Sequence, residues 1–221
     1  MRQSLEDSKL RQLRWHRAIL LGLALFLTSN STASASVTPQ PEMQVAAAMQ
    51  ELRDFNSTHS LSTLRTAIGT MYSSINTQTI APQDLVTIRR SRMQAWAKIL
   101  QAIEQSYDPT YNPNDPRQMP VDCVACTFPQ GRPTADQQAA YEAAVQANNA
   151  KEARVQHYLQ VQRLDDRAMA SIHAELWLFE MAGAPPDYAA LDAIFRQAGL
   201  SAARVSKIDT MLKTPSDGIH S

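Results

Sequence analysis

From Thr134 to Arg163 the chain runs for thirty residues, "TADQQAAYEAAVQANNAKEARVQHYLQVQR", with neither glycine nor proline. Alanine, glutamine, glutamate and arginine lose little on entering a helix, and nothing here breaks the ladder of i to i−4 hydrogen bonds. As one helix the stretch extends about 45 Å at 1.5 Å per residue. Tyr141, Val145, Asn148, Glu152, Val155 and Leu159 recur at alternating intervals of four and three. That seam is polar in its middle, which leaves two expectations open. Either Asn148 fixes the register against a partner helix, or the stretch is mostly solvated and bridges two smaller packed units.

The segment before it is its opposite. "YDPTYNPNDPRQMP" carries Pro109, Pro113, Pro116 and Pro120, which forbid a regular element, so residues 107 to 133 read as a proline-rich loop. A loop of that length in a compact domain is functional or loosely ordered.

Helical spacing governs the rest. Val45, Met49, Leu52 and Phe55 mark one amphipathic helix and Leu61, Leu64, Ile68, Met71 and Ile75 a second, parted near "NSTHS". A third begins at "APQDL", with Pro82 in its first turn and Asp84 at its positive end, and buries Leu85, Ile88, Trp96, Ile99 and Ile103. Asp165 or Asp166 then caps a helix with the stripe Met169, Ile172, Leu176 and Phe179. A terminal helical hairpin, residues 187 to 213, turns at Gly199, with Ser201 as N-cap. Strand-length runs of β-branched residues are missing, and glycine is scarce. The expected class is all-α, with six or seven amphipathic helices, one of them long.

The N-terminus addresses the chain elsewhere. Arg2, Lys9, Arg11, Arg14 and Arg17 precede "AILLGLALFL", and "TSNSTASAS" comes next with Ala33-Ser34-Ala35, the order of a secretory signal peptide over residues 1 to 35. Ten apolar residues are too few for a membrane span, which takes about 17 to 25. Cleavage after Ala35 leaves a domain from 36 to 221. Of 21 Lys+Arg and 21 Asp+Glu, the leader removes five and two, leaving 16 against 19. A mildly acidic chain lacks the basic footprint of a nucleic-acid binder and has no membrane span once the leader is gone.

Compartment decides how Cys123 and Cys126, the two cysteines, are read. A thioredoxin-type C-x-x-C sits at a helix N-terminus after a strand, where the helix dipole lowers the thiolate pKa. Here Pro120 precedes the pair, Pro129 comes after it, and no strand is in view. Zinc needs two further ligands, and His59, His157, His173 and His220 form no paired spacing. Haem attachment needs a histidine where Thr127 stands. The expectation is therefore a disulfide between Cys123 and Cys126, formed after export, that stiffens the loop.

Other candidates carry less. Asp108, Asn112, Asn114 and Asp115 offer oxygens for calcium, but an EF-hand's glycine and glutamate positions hold Pro113 and Met119. Asp166, His173 and Glu180 recur every seven residues on one helix face, a conceivable acid–base or metal row, although a partly buried histidine beside Ile172 is the more ordinary outcome. "AGLSAARVSKI" is similar to a helix-turn-helix, with bulky Phe195 where that motif takes a small residue. Neither a metal nor a cofactor motif is legible.

From Arg92 to Leu212, "RMQAWAKILQAIEQSYDPTYNPNDP", then a proline-rich gap, then Y-E-A-A-x-x-A-N-N-x-K from Tyr141 to Lys151, the chain resembles exported bacterial proteins of unassigned function. The resemblance implies export from a bacterium to the periplasm or beyond and supplies no catalytic residue. The cysteine pair departs from the cysteine-free gap of that pattern. Two functions remain in view. One is an exported helical binding or structural protein with a protein or cell-envelope partner. The other is an enzyme, either exchanging disulfides at Cys123 or hydrolysing on the Asp166, His173 and Glu180 face.

Overall fold

A computed structural model describes residues 41–72, 75–121 and 131–213. The described residues form six α-helices and no strand: α1 Pro41–Thr58, α2 Leu61–Tyr72, α3 Leu85–Ser106, α4 Ala135–Met181, α5 Tyr188–Gln197 and α6 Ala202–Lys213. The fold is all-α, with one long helix. Two short 3₁₀ turns, Thr77–Thr79 and Pro116–Gln118, lie in the connections.

The local signals act where the residues stand. His59 takes a left-handed conformation, φ 52°, and its N–H closes on the Phe55 carbonyl at 2.6 Å, so α1 ends inside "NSTHS". Thr134 and Gln137 form a reciprocal capping box at the start of α4. Gly183 and Gly199, both with positive φ, end α4 and α5, and the amides of Ala184 and Leu200 reach back to Phe179 and Phe195 in Schellman fashion. Ser201 caps α6 by accepting the Arg204 N–H. Pro82 lies one turn ahead of α3, outside the helix, because residues 82 to 84 form a separate turn closed from Asp84 N–H to Ala81.

Two expectations are corrected. The chain does not restart at Asp165 or Asp166: α4 is one helix of 47 residues. Without a glycine or proline at 163–166 a break would have to come from a cap, and Asp165 instead pairs with Arg204 of α6. The buried positions at the start of α1 are Gln44 and Ala48, with Val45 and Met49 only flanking the core. A polar partner on α3 draws Gln44 inward, and the helix turns with it.

α1 packs on α2 and α3, α4 on α2 and α3, and α5 on α3 and α6. One core gathers Leu52, Phe55, Leu64, Ile68, Trp96, Ile99, Ile172, Phe195 and Ile208. Each such side chain contributes roughly 1.5–3 kcal/mol by leaving water. Ile75, Ile80, Leu85, Phe179 and Ala184 form a smaller cluster beneath the turn between α2 and α3.

Candidate functional site

α4 does two different things along its length. From Val161 onward it buries Leu164, Ala168, Ile172, Leu176 and Phe179 in the core. From Ala135 to Gln160 no residue is buried. Tyr141, Val145, Asn148, Val155 and Leu159 of the expected seam are half-buried, and Glu152 is exposed where Lys151 takes its place. Asn148 accepts a hydrogen bond from the Val121 N–H at 2.7 Å, so it anchors the preceding loop.

That loop braces the root of the arm. Arg154 donates from Nε and Nη2 to Asp108 Oδ2, at 3.0 and 2.7 Å, and from Nη2 to Thr110 Oγ1 at 2.7 Å. Its guanidinium also lies over the Tyr111 ring. Tyr158 sits between Tyr107 and Tyr111, with ring centroids 5.6 and 5.2 Å away. His157 Nε2 is 2.8 Å from the Ser106 carbonyl. The hydrogen bonds from Thr110, and then Arg154, lower the pKa of Asp108 to about 2. Of the residues considered for calcium, three use side-chain oxygens within the loop: Asp108 takes the Thr110 N–H, Asn112 that of Asn114, and Asp115 that of Arg117.

Asp166, His173 and Glu180 lie where their spacing puts them, on one exposed face of α4. Seven residues of helix rise about 10 Å, so a straight row cannot bring their functional groups together around one atom. Asp166 is exposed overall, and partial desolvation of its carboxyl raises its pKa, with Lys207 opposing the shift. His173 is exposed, against the expectation of partial burial, because the core takes the opposite side of α4 through Ile172, Leu176 and Phe179. Cys123 and Cys126 lie outside the described residues, as do residues 1 to 35.

The strongest polar constellation is one the spacing hid. Arg92, fully buried in α3, donates from Nε to Glu175 Oε1 at 2.6 Å and from Nη2 to Glu175 Oε2 at 3.0 Å. Its Nη1 bonds Gln44 Oε1 at 2.8 Å, and Nη2 also reaches the Met71 carbonyl at 2.6 Å, in the last turn of α2. Trp96 Nε1 donates to Glu175 Oε2 at 2.9 Å. Both carboxylate oxygens are therefore occupied, and the group joins four helices instead of facing a substrate. The signal was present in the sequence: Arg92 interrupts the apolar stripe between Ile88 and Trp96, and Glu175 stands between Ile172 and Phe179 at intervals of three and four.

Among the described residues no helix is long and apolar enough to cross a membrane, and no group of three or more His, Cys, Asp or Glu side chains is placed to hold a metal ion. Comparison with protein-family models, with curated proteins and with solved structures finds no match to this chain.

Proposed function

We propose that this chain is exported and serves outside the cytoplasm as a helical binding or structural protein, with the N-terminal half of α4 as its presenting arm. One observation carries the reading. Between Ala135 and Gln160 an unbroken helix continues out of the core with no buried side chain, while its root is held by Asp108, Ser106 and Val121. Most helical stability in proteins comes from tertiary packing, so the order of the arm draws on the packed half that nucleates it and on the brace. A braced, polar and alanine-rich rod offers a surface of defined direction with no converging reactive groups. The partner belongs to the cell envelope or to another exported protein, in keeping with the leader-like order of residues 1 to 35 and the net acidity of residues 36 to 221. Export further favours a Cys123–Cys126 disulfide as a local clasp.

The test has two parts. Intact-mass measurement of the extracytoplasmic protein is expected to give a chain starting at Ser36 and lighter by two hydrogens than the dithiol; full-length chain in the cytosol overturns export. A photocrosslinking side chain at Ala143 or Ala147 of the arm is expected to give a discrete adduct with another envelope component in intact cells. The same group at Ala203, exposed on α6, serves as control. Equal adducts at Ala203, or none from the arm, overturn the presenting role.

A further inference from the structure

The row Asp166, His173 and Glu180 lies beside a second row that has no part in the core. Ala170, Ala174, Trp177 and Met181 recur at four, three and four along the last turns of α4, and all four are exposed. Trp177 is 57% and Met181 70% exposed. They occupy the side of α4 opposite Ala168, Ile172, Glu175 and Phe179. A large aromatic in water on a helical segment whose opposite side is packed in the core is the kind of feature that marks a contact surface.

The order of sizes identifies the occupant. Two small residues are followed by two large ones, and the two pairs share a midpoint between 174 and 177. When a second copy of the same stripe is laid antiparallel across a two-fold axis at that midpoint, Ala174 meets the second copy's Trp177 and Ala170 its Met181. Each bulky side chain then enters the space left by an alanine, twice over by symmetry. A two-fold contact must be self-complementary in this way, because the same patch supplies both sides.

The charged row fits the same operator. His173 and Glu180 flank the stripe on one side, with a shared midpoint within one residue of that axis. The antiparallel arrangement therefore sets His173 beside the second copy's Glu180, a donor beside a carboxylate, at both ends of the contact. A parallel arrangement puts Trp177 against Trp177, a steric conflict, and sends the two charged rows to opposite edges, where His173 and Glu180 cannot pair. We infer that this face of α4 is a homodimer interface, with a second copy of the chain bound antiparallel through Ala170, Ala174, Trp177 and Met181 and clamped by His173–Glu180 pairs. The contact uses the face of α4 away from the core in its last turns and stands independently of the role proposed for the arm. A patch of this size falls below the roughly 1,200 Å² of stable interfaces, so the association is of the weak, transient class.

Sedimentation equilibrium of the chain as recovered from producing cells tests it, over about 1 to 500 µM, the range of weak association. The expected result is a reversible monomer–dimer equilibrium that Trp177→Ala or Ala174→Glu weakens at least about tenfold, a loss near 1.4 kcal/mol. His173→Glu is expected to weaken it as well, and the exchanged pair His173→Glu with Glu180→His to restore it. All four positions are exposed, and unchanged helical dichroism establishes that the variants fold. A monomer across the whole range overturns the inference, and so does a dimer indifferent to Ala174→Glu. A dimer that the exchanged pair fails to restore removes the antiparallel register.

Discussion

Arg92 on α3 and Glu175 on α4 form a bidentate ion pair in the core, with side-chain exposures of 1% and 6% and a shortest distance of 2.6 Å. Taking two charges out of water costs several kcal/mol each, and the pair is tolerable because Gln44, Trp96 and the Met71 carbonyl complete its hydrogen bonding. What the pair supplies is a fixed register among α1, α2, α3 and α4, since a slip of one turn in any of them leaves a buried charge unmet.

Removing one partner is therefore expected to be far worse than removing both. Arg92→Met should destabilise the fold by about 3–5 kcal/mol in urea denaturation by stranding Glu175. Arg92→Met combined with Glu175→Leu should recover most of that loss. Additive losses in the double variant would show that the pair contributes as two independent packing residues.

Asp108 should report the brace as pH falls. Its folded pKa, about 2, lies below the ordinary value near 3.9. A carboxylate with a lowered folded pKa supports the folded contacts above the unfolded value, and that support is lost as pH falls toward about 2. Chemical-shift titration of Tyr107, Tyr111 and Tyr158 between pH 5 and pH 2 is expected to show the ring cluster loosening. In Asp108→Asn the same signals should already be shifted at pH 7 and flat below it. A ring cluster unchanged across that range in the unsubstituted protein would place the brace elsewhere.

Two glycines should respond oppositely to alanine. Gly199 has φ 89°, and a Cβ there would stand 2.9 Å from Gln101 Nε2, so Gly199→Ala is expected to destabilise by about 1–2 kcal/mol. Gly69 lies inside α2, and a Cβ there meets nothing within 4 Å. Gly69→Ala should raise stability by about 0.5–1 kcal/mol through helix propensity. Thermal melts of the two variants with the parent check both signs.

The two halves of α4 should separate under proline substitution. Proline in a helix interior costs about 3 kcal/mol or more. At Ala147, in the arm, that cost is expected to stay local: hydrogen exchange quickens in residues 135–146 while the urea midpoint barely moves. At Ala168, fully buried, the same substitution should collapse the fold. Equal loss of stability at both sites would show that the arm is part of the cooperative core.

Residues acting on their own neighbours were legible without the fold. Composition and spacing determined the all-α class, and the short-range rules placed the left-handed turn at Gly199 and the Ser201 cap. Each depends on contacts within a few positions, so the sequence contains both partners side by side. Tertiary structure decided the rest. Asp165 has a choice between capping a new helix and pairing with Arg204, 39 residues away, and only docking of α6 settles it. Arg92 and Glu175 are 83 positions apart, and each alone reads as a surface charge that strayed into an apolar stripe. Gln44 turns inward, and α1 rotates with it, because an Arg92 donor awaits it. A buried charge is admissible only beside its partner, and which residues become neighbours is a property of helix packing that no local spacing rule contains.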